Sequence, residues 1–144
     1  MTRVDFYVLP TAARQETLRW VCRLVEKAFK EGYKILIRPR DPIEGKQLEE
    51  LLWTFRPGSF IPHAWLEQAP SEPSCLRVWL GQELPATFEV DLVINLADDP
   101  PLRWASVSRI AEVIDQGHVE AGRHRYRLYQ RQDAELHTHK IGRL

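Results

Sequence analysis

From residue 4 to residue 38 the chain reads as a short apolar strand, an amphipathic helix and a second short strand, and this order constrains the fold more than any other feature. Residues 4–9 (VDFYVL) form a β-branched and aromatic run closed by Pro10, which has no N–H to extend a ladder. Over residues 14–31 apolar groups fall at Leu18, Val21, Cys22, Val25, Ala28 and Phe29, the three-four spacing of one helical face, and Gly32 supplies the stop. Residues 34–38 (KILIR) make the second strand. Two strands joined through a helix pair in parallel with a crossover connection, so the class is α/β.

The rest of the chain extends the pattern. Asp41-Pro42-Ile43-Glu44 combines an N-cap acceptor, a proline at the first helical position and a glutamate three residues after the cap, which starts a second helix running to about residue 53. Arg56-Pro57-Gly58-Ser59 breaks it, residues 60–63 follow as a proline-fixed apolar loop, and residues 68–74 read as an exposed connection. Further strands are expected at residues 76–80 and 91–96, the latter nearly all apolar, as a strand covered on both faces must be. Residues 109–115 (RIAEVID) are read as a strand, residues 118–130 as a last helix, and the short tail as an added edge strand.

Composition narrows the function classes. With 144 residues and 44% hydrophobic content the chain can bury a core as one domain, residues 1–144. No run reaches the length of a membrane span and the opening residues lack a signal-peptide pattern, so a cytosolic protein without membrane contact is expected. Cys22 and Cys75 match no disulfide framework or metal-ligand spacing. Twenty basic and twenty acidic side chains give a formal net charge of zero, which argues against direct nucleic-acid binding.

Neither a dinucleotide-binding glycine fingerprint nor a phosphate-binding loop occurs, and Pro10-Thr11-Ala12-Ala13-Arg14 after the first strand contains no glycine, so no cofactor is expected. Asp98 and Asp99 follow a strand end, where paired carboxylates either hold magnesium for a small nucleotide or phosphate enzyme or form a solvated turn. Ser59 near His63 lacks a nucleophile elbow, and His137 and His139 are either zinc ligands or tail histidines. Cys22 on the apolar helix face reads as an inert thiol.

Two surface features stand out. Trp53, Phe55 and Phe60 bunch around the 56–59 break, either as interface anchors or as domain packing. The last helix carries Arg123, Arg125, Arg127 and Arg131 against Glu120, with Arg123, Tyr126 and Arg127 sharing one side. Such a basic face with an aromatic suits an acidic peptide or terminal carboxylate, or is simply a solvated surface.

These blocks also carry a resemblance. The segments VDFYVL, CRLVEKA, LEELLWTF leading to SFIPH, LVINLA, EVID and RHRYRLY, in this order and over nearly the whole chain, resemble the chi subunit of bacterial DNA polymerase III, the L-W-x-F and S-F-x-P-H block most specifically. The resemblance implies a single Rossmann-like three-layer domain with a mainly parallel central sheet and a non-catalytic, bridging role in DNA replication. It implies two partners. The psi subunit of the clamp loader would meet Trp53 and Phe60, and the acidic C-terminal tail of single-stranded-DNA-binding protein would meet Arg123 and Tyr126, with Arg127 a candidate to supply a cation that the family often carries as a lysine where this chain has Val119. A helicase-like protein using the Trp53 surface is a further partner it leaves open.

Overall fold

A computed structural model of the chain describes residues 1–58, 61–68, 76–85 and 88–144. The opening strand, β1, is Arg3–Val8, and the helix after it, α1, is Arg14–Lys30. Gly32 ends α1 at φ +89°, a left-handed conformation open to glycine, with Tyr33 N–H donating to Ala28 O at 3.1 Å and Gly32 N–H to Phe29 O at 3.0 Å. Strand β2 is Ile35–Arg38 and helix α2 is Pro42–Thr54. Asp41 caps α2 as expected, accepting from Glu44 N–H at 2.8 Å. Glu44 does not close the box on Asp41; its carboxylate accepts from Arg40 N–H at 3.2 Å and is claimed by Arg14.

Beyond α2 come β3 (Ala64–Trp65), a 3₁₀ turn at Leu66–Gln68, β4 (Val78–Leu80) and β5 (Leu92–Asn95). A 3₁₀ turn at Trp104–Ser106 leads to β6 (Arg109–Ile114), α3 (Val119–Arg131) and β7 (Glu135–Lys140). The strand at residues 109–115 and the edge strand from the tail are therefore both present. The fourth strand starts two residues later than expected, and β3 was not expected at all, because two residues carry no periodicity to read. Expectations for Ser59, Phe60, most of the 68–74 connection and Cys75 lie outside the described residues.

The described strands form one sheet in the order β3-β4-β2-β5-β6-β1-β7, every pairing parallel. Alternation within each strand serves two layers. Ile35, Ile37, Leu92, Ile94, Ala111 and Val113 face α1 and α2, meeting Leu18, Val21, Cys22, Val25, Leu48 and Leu52. Leu36, Val93, Ile110 and Ile114, with Val4 and Phe6, face the opposite side, where Tyr129 of α3, Trp79 and Val107 complete a second core. Each fully buried aliphatic side chain stabilises the fold by about 1.5–3 kcal/mol, so both faces are firmly covered. The helices α2 and α3 thus lie on opposite faces of the sheet. The last strand, β7, pairs in parallel with β1, aligning Val4 with Leu136 on one side and with Ile110 of β6 on the other.

Candidate partner-binding surfaces

The α3 surface begins with a glycine. A Cβ at Gly122 would stand 2.6 Å from Cδ1 and 3.1 Å from two further carbons of Ile114, so glycine lets the helix settle directly on β6. Seating α3 this close turns Gly122, Arg125 and Tyr129 inward. Arg125 is 2% exposed and its Nε–H donates to Glu112 Oε1 at 2.8 Å, while Tyr129 O–H donates to Glu112 Oε2 at 2.6 Å. Asn95 Nδ2–H reaches both Glu112 oxygens at 3.1 and 3.0 Å, Arg125 Nη1–H reaches Asp98 O at 3.2 Å, and Arg38 Nη1–H meets Asn95 Oδ1 at 3.1 Å. Glu112 is fully buried, so this satisfied network is what makes its charge tolerable inside the sheet. Burial and the neighbouring Glu112 push the Tyr129 phenol well above its ordinary pKa, keeping it a donor.

Of the arginine run, Arg125 belongs to the interior, and Arg123, Arg127 and Arg131 are the exposed arginines of α3. Arg123 has a side chain 63% exposed and donates from Nη1 to Glu120 Oε1 at 3.0 Å, a solvated pair that contributes little to stability and exchanges readily for another carboxylate. Tyr126 is half-buried, its ring centroid 5.2 Å from that of Phe6 at 58°, which holds the aromatic against β1 on the helix that exposes Arg123 and Arg127.

The second surface lies on α2. Trp53, near the helix end, is 39% exposed with its ring 4.6 Å from that of His63, whose Nδ1 is 2.8 Å from Ile61 O. A groove of about 520 Å³ runs between Pro42, Lys46, Glu49, Glu50 and Trp53 on one side and Trp65 and Glu67 on the other. Phe55, half-buried, packs against the core rather than joining Trp53 outside.

Ion pairs among the protein's own side chains cluster at the carboxyl ends of the strands. Arg14 binds Glu44 at 2.7 Å and Asp115 at 2.9 Å, and His118 Nδ1 stands 2.6 Å from Asp115 Oδ1. Burial raises the Asp115 carboxyl, but the hydrogen bonds from His118 and Arg14 and their charges outweigh it and hold the pKa below its ordinary value. Asp98 and Asp99 point to Arg40 (3.7 Å) and Arg38 (3.2 Å) respectively, which is the solvated-turn arrangement. His137 and His139 sit on β7, paired with Glu135 at 2.7 Å and buried Asp5 at 2.8 Å. Burial pushes the Cys22 thiol up to about 12. Among the described residues no group of three or more His, Cys, Asp and Glu is placed to hold a metal, and no helix is long and apolar enough to cross a membrane.

The networks around Glu112 and Asp115 were missed in the sequence. A signal was present: a charged residue inside an apolar strand, as in IAEVID or VDFYVL, requires a buried partner. The partner itself lies on another element and leaves no local trace.

A family model described as DNA polymerase III chi subunit, HolC, matches residues 1–137. A DNA polymerase III subunit chi from Pseudomonas aeruginosa is 36% identical over 146 residues, covering 100% of both chains. A DNA polymerase III subunit chi from Haemophilus influenzae is 26% identical over 141 residues, covering 96% of each.

Proposed function

The chain belongs to the DNA polymerase III chi subunit family, an accessory subunit of that polymerase, and we propose that it works there as a non-catalytic, single-domain adaptor with two protein partners. One is the C-terminal tail of single-stranded-DNA-binding protein, held by Arg123, Tyr126 and Arg127. The other is the psi subunit of the clamp loader, docked on Trp53 and Phe60; a helicase-like protein using the same residues is the alternative occupant. The observation that supports the reading best is the division of α3: Arg125 locks the helix to the sheet from inside, leaving Arg123 and Arg127 exposed on the same helix that holds the half-buried Tyr126 ring against Phe6.

Mechanistically the adaptor tethers. An acidic tail ending in an aromatic and a free carboxylate would lay its ring beside Tyr126 and exchange Glu120 for its own carboxylate at Arg123. Each contact is weak, but many tails displayed on one coated strand raise the effective concentration and hold the polymerase assembly nearby without direct DNA contact. Because α2 and α3 occupy opposite faces of the sheet, both partners can be held at once.

The test is titration of the full chain with the C-terminal tail peptide of the same organism's single-stranded-DNA-binding protein, beside an amidated control, at two salt concentrations. Binding should need the free carboxylate and weaken with salt. Arg123→Ala should cost roughly 1.5–3 kcal/mol of tail affinity, the loss of one charged hydrogen bond. Trp53→Ala should spare the tail and weaken psi. Equal affinity for free and amidated peptides would refute the tail site.

A further inference from the structure

Ile43, Lys46, Glu50 and Trp53 recur along α2 at intervals of three, four and three, which aligns them in one row on the outer side of the helix. Ile43 is 72% exposed, so this row carries a large apolar group at each end while Leu48, Leu51 and Leu52 are buried beneath. The groove beside the row has an acidic rim: Glu49, Glu50 and Glu67 line it with Lys46. Its far wall is built in. A Cβ at Gly45 would come within 2.2 Å of Trp65 Cη2, so glycine allows the indole to lie directly on α2, and the Trp65 N–H donates to Glu49. Against Trp53 lies His63, whose Nδ1 faces Ile61 O and whose Nε2 is buried with no hydrogen-bond partner among the described residues.

We propose that this groove accepts a basic amphipathic segment of a partner protein, with apolar side chains against Trp53 and Trp65 and lysine or arginine side chains on Glu50 and Glu67. The proposal rests on the reading of Trp53 as a partner-binding residue and names the chemistry of what binds there. A preformed groove that combines Pro42, Trp53 and Trp65 with three carboxylates fits a helix laid along it, cations flanking its apolar stripe.

The charge has a second consequence. The exposed α3 surface is cationic at Arg123 and Arg127, and the α2 groove is anionic, so on a chain of zero net charge each surface rejects the other's ligand. An acidic tail is repelled from the groove, and a basic segment from α3.

The probes are three fluorescein-labelled helical peptides sharing one leucine and phenylalanine stripe, flanked by lysine, glutamine or glutamate, and titrated into the full chain, into Glu50→Lys/Glu67→Lys and into Trp53→Ala. The lysine peptide should bind at least about tenfold tighter than the glutamate peptide, and the double charge reversal should invert that order. Trp53→Ala should weaken the lysine peptide. An order left unchanged by charge reversal, with Trp53→Ala still weakening binding, would overturn the basic-segment proposal and leave Trp53 as a docking residue. Lysine-peptide binding untouched by Trp53→Ala would overturn both. Circular dichroism and urea midpoints of the variants, all altered at exposed side chains, verify that each is folded.

Discussion

Replacing Arg125 with methionine keeps most of the side-chain stem but strands the Glu112 carboxylate inside the sheet. Deleting one member of a buried ion pair typically costs about 3–5 kcal/mol, because the remaining charge is left uncompensated. Glu112 would retain Tyr129 O–H at 2.6 Å and Asn95 Nδ2–H at 3.0 Å, which sets the expectation at the low end, about 3 kcal/mol. Against a typical total of roughly 5–15 kcal/mol that is a large fraction, equivalent to more than a hundredfold rise in the unfolded population. Adding Glu112→Gln removes the charge while keeping an acceptor for Tyr129 and Asn95, so the double variant should recover about 1.5 kcal/mol or more relative to Arg125→Met alone. Arg123→Ala and Arg127→Ala, on the same helix but exposed, should each change stability by less than about 0.5 kcal/mol. Urea unfolding followed by tryptophan fluorescence and far-UV circular dichroism reads all of these, with the slope held constant as the check on two-state behaviour. A cost below about 1 kcal/mol for Arg125→Met, or a double variant that merely sums the two single losses, would refute the assignment of Arg125 to a coupled interior pair.

Other outcomes follow from the same geometry. Gly45→Ala should displace Trp65 and alter the near-UV circular dichroism, while the helix-propensity gain of about 1 kcal/mol offsets lost packing and leaves the urea midpoint nearly unchanged; an unaltered near-UV spectrum would show that the contact is not made. Asp115 has its folded pKa held below 3.8, so its stabilisation is complete above about pH 4 and lost as pH falls through the lower folded value; Asp115→Asn should be less stable at neutral pH and show a flatter acid limb in urea titrations, and parallel limbs would contradict this. In a Cys75→Ser background Cys22 should react with iodoacetamide at least about a hundredfold more slowly in the native protein than in denaturant, its thiol being buried with a pKa of about 12; comparable rates would refute its burial. Asp98→Asn should leave thermal stability in magnesium unchanged, since Asp98 faces Arg40; a magnesium-dependent rise in midpoint that this variant abolishes would revive the enzyme reading.

The division of α3 also explains why seven residues of similar appearance, RHRYRLY, do different work. Arg123 and Arg127 are four apart and outward, Arg125 lies between them in sequence yet faces inward, and only the inward one has Glu112 to meet. On α2 the same principle places Trp53 outside and Leu52, its neighbour, fully buried.

What could be read along the chain was local. Periodicity and caps marked β1, α1, β2 and α2 because turn residues such as Gly32 and Asp41 act within a few bonds of where they stand, and the ordered blocks from VDFYVL to RHRYRLY carried the family resemblance without any geometry. What required the tertiary structure was non-local. The place of β7 beside β1 joins residues more than 130 apart, and β3 is too short to show a period. The burial of Arg125 was decided by a carboxylate thirteen residues away on β6, and the groove wall at Trp65 by a glycine twenty residues earlier on α2. A side chain's chemistry is written in the sequence, but whether a charge is solvated or paired depends on which element is folded against it.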